Sequence, residues 1–217
     1  MTKLATPLKK RELVETFMRE AILAAAKKVL AANTYDRTSL DQIAQEAQVS
    51  KGSIYVYFRS KEELLWEVLK ESLQRFIEAG KAAAAQAQTP LEQLRAMVQA
   101  HLEFFAADPE AFKIALAEKT NLILNPRGHQ IQTLWQRYQE YAAWVGGLFQ
   151  RAAAAKEIRP VPGRRYALLL LDMVLMVMYQ RLAVPTNTPL AQEADEIMDL
   201  FVRGLGPKER LSGKKAV

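Results

Sequence analysis

Two helix starts lie only ten residues apart in the stretch SKGSIYVYFRSKEELL at residues 50–65, and this spacing constrains the fold more than any other feature of the sequence. Ser50 can cap a first helix, because a serine side chain accepts a hydrogen bond from a free N–H of the first turn. Ser60 and Glu63 have the spacing of a capping box, which indicates the start of a second helix. The stretch therefore predicts a very short helix followed at once by a firmly capped one.

The short helix has two contrasting faces. Ile54 and Phe58 are four residues apart, so they share one side and we expect them to be buried. The other side holds small, apolar or hydroxyl-bearing side chains, where a solvated face would carry Lys, Glu or Gln: Gly52, Ser53, Tyr55 and Val56. A glycine inside so short a helix costs about 1 kcal/mol relative to alanine, so we expect something to compensate for it.

Insertion of this helix into the major groove of DNA would compensate. Glycine lets the backbone approach the bases closely. Ser53 can hydrogen-bond a base edge or a phosphate, and Val56 can contact a thymine methyl group. Lys51, at the helix start, can reach a guanine edge or a phosphate. The free N–H groups at the start of the next helix suit a phosphate, with Tyr57 and Lys61 beside them.

The preceding segments complete a helix-turn-helix. Thr38 is the expected N-cap of the second helix, with Asp41 in the capping-box position. Helical spacing predicts buried faces on the first two helices: Met18, Ile22, Ala25 and Val29, then Leu40, Ile43, Ala44 and Ala47. The short turn QVS at 48–50 leads directly into the short helix, and two short helices joined so tightly are typical of a helix-turn-helix.

Residues 19–69, REAILAAAKKVLAANTYDRTSLDQIAQEAQVSKGSIYVYFRSKEELLWEVL, resemble without gaps the DNA-binding domain of the tetracycline-repressor (TetR) family of transcriptional regulators. The resemblance implies a homodimer, an all-helical C-terminal ligand domain, and repression that a small molecule relieves. By motif position it assigns DNA contacts to Thr38, Lys51, Gly52, Ser53, Tyr55, Tyr57 and Lys61. It also gives Val56 the variable position that tunes sequence preference.

The sequence departs from the family pattern in two places. Gln48 in the turn and Thr34 at the end of the first helix stand where members often have glycine, which tolerates a positive φ. We expect the turn at Gln48 to survive with some strain or altered geometry. The leading segment KLATPLKKRELVE is also a longer basic extension than the motif needs. It is either an arm that contacts phosphate or the minor groove, or a solvated tail.

The charge distribution is one-sided. Residues 1–61 hold 11 Lys and Arg against 6 Asp and Glu, a net charge of +5, whereas residues 62–217 hold 19 against 18. A basic segment of this kind indicates a polyanionic partner, either nucleic acid or an anionic membrane, or else a solvated basic surface. The helix-turn-helix favours DNA.

The whole chain reads as all-α, with about nine helices. Caps followed by proline mark helix starts at Thr89-Pro90, Asp108-Pro109 and Thr188-Pro189. The expected helices span 11–33, 39–46, 50–57, 60–85, 90–107, 109–124, 128–156, 163–183 and 189–205. We expect a DNA-binding domain over 1–60, with its basic extension, and a larger ligand-binding and dimerisation domain over 61–217.

The helix at 163–183 is apolar nearly all round, so we expect it to be buried on every side. One face would pack in its own core and another against a partner subunit, together with the helix at 189–205. Two helices from each subunit would form a two-fold interface. Such symmetry would let paired recognition helices meet successive major grooves of a palindromic operator. A simple core helix is the alternative.

An effector pocket is suggested by aromatic residues and methionines in the C-terminal two-thirds. The candidate lining residues are Met97, His101, Phe105, Phe112, Trp135, Tyr138, Trp144, Asp172, Met173 and Met176. Methionine suits adaptable pockets for hydrophobic ligands, although core packing explains each residue taken alone. Asp172 lies among apolar residues, where an unpaired carboxylate is costly to bury. It could face a cationic ligand, pair with Arg137 or Arg181, or lie at the dimer interface.

Several classes of protein are disfavoured. The chain has no cysteine, and its two histidines lack further metal ligands at a suitable spacing, so neither a metal site nor a cofactor is expected. No set of catalytic groups or phosphate-binding glycine loop supports a small helical enzyme. The longest apolar run is too short for a typical membrane span, and the N-terminus has no signal-peptide pattern, so we expect a cytoplasmic protein. An architectural DNA-binding protein without an effector remains the main alternative.

Overall fold

The computed structural model describes residues 7–33, 35–124 and 129–205, with side chains over 12–33, 35–119 and 132–203. Over these residues the chain is all-α, as predicted, with nine α-helices and one 3₁₀ turn. The helices are α1 Pro7–Ala32, α2 Leu40–Glu46, α3 Lys51–Tyr57, α4 Lys61–Ala84, α5 Pro90–Ala107, α6 Pro109–Leu124, α7 His129–Ala154, α8 Gly163–Ala183 and α9 Leu190–Leu205, and the 3₁₀ turn is Tyr35–Arg37. The predicted bounds agree with them to within a few residues. Thr34 and residues 3–6 of the basic extension lie outside the described residues, as do the side chains of residues 7–11.

The helices form two compact units. The N-terminal unit comprises Met1–Ser72 with Pro109–Gln132, and the C-terminal unit comprises Leu73–Asp108 with Thr133–Val217. The N-terminal unit is larger than the predicted domain 1–60, because it also contains the start of α4 and the whole of α6. The side chain of Ile114 on α6 is buried in the core of the N-terminal unit.

The core of the N-terminal unit forms from the faces that helical spacing predicts. Ile22, Ile43 and Ile54 have no exposed surface, and Phe58 and Leu64 are buried beside them. Val29, Leu40 and Ala47 are partly buried and pack against this core. Burying a large apolar side chain contributes about 1.5–3 kcal/mol, so these contacts fix which face of each short helix points outward.

The cap of α2 differs from the prediction. Ser39, and not Thr38, is the N-cap, and it forms a capping box with Gln42. Thr38 instead closes the preceding 3₁₀ turn, since its N–H donates to the Tyr35 carbonyl at 3.2 Å. Helix α2 therefore begins one residue later than an N-cap at Thr38 would place it.

The caps of the next two helices lie at the predicted serines. The Ser50 side chain accepts from the N–H of Ser53 and caps α3. At α4, the Glu63 N–H donates to Ser60 Oγ at 3.1 Å, whereas the Glu63 carboxylate accepts from the N–H of Arg59 at 2.6 Å. In a standard capping box the Glu63 carboxylate would accept from the N–H of Ser60. Here it accepts from the N–H of the preceding residue, Arg59.

The turn between α2 and α3 has the backbone geometry that glycine usually provides. Gln48 has φ 56°, in the left-handed region that is unfavourable for residues other than glycine. The N–H of Val49 donates to the Ala44 carbonyl at 2.9 Å, which ends α2 with a helix-terminating hydrogen bond across the turn. The tight turn therefore survives with glutamine in place of glycine, as expected.

The C-terminal unit packs α5 against α8 and α9. Its fully buried side chains come from four helices: Leu94, Met97 and Leu102 on α5, Val145 and Leu148 on α7, Leu170 and Val174 on α8, and Ala194 on α9. Helix α9 begins at Leu190, one residue after Pro189. The α5 cap is as predicted, because Thr89 and Glu92 form a capping box before Pro90.

Helix α8 is not buried on every side within one chain, and whether its other face packs against a partner subunit stays a prediction. Leu170 and Val174 are buried, but large apolar side chains remain about half exposed on the same helix: Leu169, Met176, Tyr179 and Leu182. At 21 residues the helix is also long and apolar enough to cross a membrane, contrary to the expectation that this run is too short. Buried core helices of soluble proteins meet the same criterion, so length and composition alone do not indicate a membrane span.

Candidate nucleic-acid interface

Helix α3 presents the outward face that its sequence predicts. Val56 is 76% exposed and Tyr55 is 52% exposed, whereas Ile54 and Phe58 on the other side are buried. The outward face is thus held in place by the core beneath it. It offers an apolar side chain, a phenol and an uncharged backbone stretch to anything that approaches from outside, which suits contact with base edges in a major groove.

Gly52 is not required by the fold of the protein. A Cβ built on it would have Ser50 Oγ as its nearest neighbour at 3.7 Å, which is ordinary van der Waals contact, and its φ does not lie in the positive region. An alanine would fit here and would favour the helix. The packing of the protein itself therefore does not account for the absence of a side chain at Gly52.

Two polar residues at the start of α3 have partners within the N-terminal unit. Lys51 Nζ donates to Asp41 Oδ2 at 2.8 Å, and this hydrogen bond with the α2 carboxylate raises the pKa of Lys51. The hydroxyls of Ser50 and Ser53 lie 2.8 Å apart. Lys51 is exposed, so an exchange of its carboxylate partner for a phosphate or a guanine requires only a side-chain rotation.

The other three predicted DNA contacts are held more tightly by the fold. Thr38 is 3% exposed, and Tyr57 is partly buried against the core of the N-terminal unit. Lys61 Nζ donates to the Tyr35 carbonyl at 2.7 Å and to the Thr38 carbonyl at 2.8 Å. No local pattern in the sequence signals these two bonds, because they join residues more than twenty positions apart.

The start of α4 is more acidic than a phosphate site requires. Glu62 and Glu63 lie in its first turn. The Glu63 carboxylate accepts from the Arg59 N–H, and the Glu63 N–H is bound to Ser60. A phosphate here would meet two carboxylates as well as the positive end of the helix dipole.

In the C-terminal unit, three of the predicted pocket residues are buried: Met97, His101 and Phe105. His101 Nε2 and the Tyr141 hydroxyl lie 3.0 Å apart in a hydrogen bond, and the imidazole stacks on Phe76 with ring centroids 3.7 Å apart. Burial lowers the pKa of His101 to about 3, so the ring is neutral at physiological pH. Burial also raises the pKa of the Tyr141 hydroxyl.

The remaining predicted pocket residues are dispersed. Trp144 stacks on Tyr141, and Met173 is partly buried. Trp135 and Met176 are 41% and 53% exposed. Phe112 is fully buried, but it belongs to the N-terminal unit. The assignment of this set to an effector pocket stays a prediction.

Asp172 is exposed, and its carboxylate accepts a hydrogen bond from the Tyr138 hydroxyl. Burial raises the pKa of Tyr138, and the carboxylate of Asp172, which accepts its hydrogen bond, adds to the shift. The two suggested arginines bind elsewhere: Arg137 donates to Gln74 at 2.8 Å, and Arg181 donates to Glu193 at 2.6 Å. The expected cost of burying a lone carboxylate does not arise in the single chain.

Sequence analysis missed a surface groove of about 740 Å³ between α5 and α9. Its lining combines apolar and charged side chains: Thr89, Leu91, Glu92, Arg95, Glu157, Gln192, Asp195, Glu196, Met198, Asp199 and Val202. Arg95 and Asp195 form an ion pair across it. Within the part of the chain that the structure describes, no three His, Cys, Asp or Glu residues are placed to hold a metal ion.

A short exposed helix carried by a helix-turn-helix, together with a separate helical unit, defines a DNA-binding regulator. The family model for bacterial regulatory proteins of the tetR family matches residues 22–68, and the model described as a tetracyclin repressor-like C-terminal domain matches residues 87–179. The chain belongs to the TetR family.

Curated relatives include a regulator of fatty acid metabolism and a transcriptional activator. The chain is 31% identical over 112 residues to the fatty acid metabolism regulator protein of Bacillus subtilis (strain 168), covering 51% of this chain and 58% of that one. It is 30% identical over 96 residues to the transcriptional activator FasR of Mycolicibacterium smegmatis, covering 44% of each. The chain thus spans about half the length of these relatives.

Solved structures show the same fold. A putative fatty acid metabolism regulator of Clostridium perfringens superposes with a TM-score of 0.73 at 24% identity, over 87% of this chain and all of the other. FadR of Bacillus subtilis, solved with stearoyl-CoA, gives 0.70 at 22% identity, over 86% and 98%. AibR, solved with isovaleryl coenzyme A and operator DNA, gives 0.72 at 24% identity, over 87% and 97%.

Replacement of Gly52 by alanine should stabilise the protein and weaken its binding to DNA. The new methyl group favours the helix by about 1 kcal/mol, but it projects from the face that approaches the bases. We expect a higher midpoint of thermal unfolding and at least a tenfold loss of operator affinity by fluorescence anisotropy. Gly147→Ala on α7 is the matched control, because its Cβ also meets only ordinary contact. Unchanged affinity in Gly52→Ala would refute close approach at this residue.

Replacement of Gly80 by alanine should destabilise the C-terminal unit. A Cβ at Gly80 would overlap the Tyr141 hydroxyl and His101 Nε2, so there is no space for it. Overpacking costs about 1–3 kcal/mol, which exceeds the gain in helix propensity. Denaturant unfolding should show this loss, with partial recovery in a Gly80→Ala/Tyr141→Phe double variant. Equal behaviour of Gly80→Ala and the Gly147→Ala control would contradict the overlap.

Proposed function

We propose that the chain is a dimeric repressor that binds a palindromic operator and is released from it by an acyl-CoA thioester. The observation that carries the DNA-binding part is the outer face of α3. It is exposed, uncharged and free of any structural need for Gly52. Side chains of this kind suit contact with base edges, whereas a face exposed only to water would usually carry Lys, Glu or Gln.

The effector class is inferred from the relatives. The curated relatives named above include a regulator of fatty acid metabolism, and two of the solved structures of the same fold were obtained with stearoyl-CoA and isovaleryl coenzyme A. A thioester with an apolar acyl chain agrees with the hydrophobic effector expected from the sequence. The aromatic and methionine residues of the C-terminal unit supply surface of the right character for an acyl chain.

The dimer is supported by the unpaired apolar face of α8. Tyr179 and Leu182 are each 48% exposed, and Leu200 on α9 is 67% exposed. Exposed side chains of this size in neighbouring helices are typical of a protein–protein interface. Two-fold pairing through α8 and α9 would carry two recognition helices, as a palindromic operator requires.

Helix α4 is the element suited to transmit the effector signal. It is one continuous helix from Lys61 to Ala84, and it contributes residues to both compact units. A ligand that favours one position of its C-terminal part would change the position of its N-terminal part. Linkage requires the effect to be reciprocal. Operator DNA must therefore lower the affinity of the protein for the effector by the same factor by which the effector lowers its affinity for DNA.

An architectural DNA-binding protein without an effector is the second candidate. The match of residues 87–179 to a repressor-like C-terminal domain favours the ligand-responsive regulator. As a DNA-binding regulator, it would act in the cytoplasm.

Selection of DNA from a random pool, followed by titration with effector, tests the proposal. We expect an enriched palindrome whose affinity falls about 5–150-fold on addition of an acyl-CoA, the usual range of allosteric coupling. Chain lengths from isovaleryl to stearoyl should be compared with free coenzyme A and free fatty acids. Failure to enrich any site would refute base reading. An operator indifferent to every acyl-CoA would favour the architectural protein, and tighter binding would contradict release.

A charge in the apolar face of α8 should break the dimer. Leu182→Glu would place a carboxylate against the partner subunit, where burial of an unpaired charge is costly. We expect at least a tenfold weaker dimer by analytical ultracentrifugation and a matching loss of operator affinity. Gln86→Glu adds the same charge at an exposed position of the same unit and should change neither. A Leu182→Glu variant that remains fully dimeric would place the interface elsewhere.

A further inference from the structure

The ammonium group of Lys61 makes three contacts inside the N-terminal unit. Its ammonium group donates to the carbonyls of Tyr35 and Thr38 at 2.7 and 2.8 Å, and it lies 4.1 Å from the centre of the Tyr35 ring. An ammonium has three donors, and two of them are bonded while the aromatic face attracts the same positive charge. At most one of its three donors is left for another anion.

The two carbonyls belong to the segment that leads into α2. Tyr35 opens the 3₁₀ turn, and its carbonyl also accepts from the N–H of Thr38. Thr38 is buried and directly precedes Ser39, the N-cap of α2. The Lys61 ammonium therefore joins the first residue of α4 to the residue from which the helix-turn-helix starts.

We propose that Lys61 is a positioning residue, which fixes the start of α2 against the start of α4 and thereby orients the helix-turn-helix. This role replaces the phosphate contact that the family resemblance assigns to it. To reach a phosphate, the ammonium would have to leave both carbonyls and the Tyr35 ring, and the buried Thr38 carbonyl would lose its charged partner. The proposal rests on the DNA-binding function proposed above.

The two roles predict different changes in the salt dependence of DNA binding when Lys61 is replaced. Loss of one phosphate contact makes the slope of log K against log salt shallower by about 0.9. Loss of a positioning contact lowers the affinity through a poorly formed helix-turn-helix and leaves the slope unchanged. The positioning role also acts in the free protein, where no phosphate is present, so it can be measured without DNA.

The experiment compares Lys61→Met with Lys28→Met in the full chain. Methionine keeps a stem of similar length and removes the charge. Lys28 is the matched control, because it is an exposed lysine of the same unit whose ammonium binds the Glu46 side chain at 3.2 Å. Amide hydrogen exchange of residues 38–42 is measured in the free protein. Affinity for the selected operator is measured over a series of salt concentrations.

For Lys61→Met we expect at least tenfold faster exchange over 38–42, at least a tenfold loss of operator affinity, and the salt slope of the Lys28→Met control. A slope shallower than the control by about 0.9 would overturn the proposal, because it would reveal a phosphate contact. Unchanged exchange would overturn it as well, because no positioning contact would have been lost.

A milder variant covers the case in which Lys61→Met does not fold. Tyr35→Leu removes the ring and leaves both carbonyls, so it should accelerate exchange over 38–42 to a smaller degree with an unchanged salt slope. The exchange measurement also separates the two proposals. Absence of any operator for the wild-type protein would refute the proposed function, whereas protection of 38–42 that depends on Lys61 would still support the positioning contact.

Discussion

The short length of α3 is the constraint on which the rest of the N-terminal unit depends. Its cap at Ser50 and the buried Phe58 that follows it leave two turns of helix. So short a helix has little stability of its own. It is held by the burial of Ile54 and Phe58 beneath it and by the hydrogen-bonded turn at Gln48 before it. Because neither the buried residues nor the turn involves the outer face of α3, that face is not needed for folding. Its residues can therefore be selected for contact with another molecule.

Features that depend on residues close in the chain could be predicted from the sequence, and features that depend on distant residues could not. The caps at Ser50 and Thr89, the buried face of α3 and the positive φ at Gln48 follow from local patterns. The cap of α2 was misplaced because Thr38 and Ser39 both have a suitable partner three residues on. Lys61, 23 residues away from Thr38, binds the Thr38 carbonyl, and nothing in the local sequence reveals that bond.

The C-terminal unit shows the same division. Helix starts and ends followed from caps and prolines, but residue type could not separate core residues from pocket residues. Methionines and aromatic residues fill the core at Met97, stack in pairs at Tyr141, and face outward at Met176. Only the packing of α5 against α8 and α9 distinguishes these roles. The exposure of Asp172 could not be predicted for a related reason, since its apolar sequence neighbours point in several directions around α8.

The charge of the first quarter of the chain overstates how much of it can contact DNA. Several of its cations are bonded within the N-terminal unit: Arg19 to Glu67, Lys28 to Glu46, Lys51 to Asp41, and Lys61 to two carbonyls. Their field still attracts a polyanion at long range, which raises the rate of encounter. In the proposed function, specific contact would come from the neutral face of α3, where Gly52 and Val56 would let the helix approach the bases. On this proposal, positive charge would serve attraction and internal order, and the uncharged helix would serve recognition.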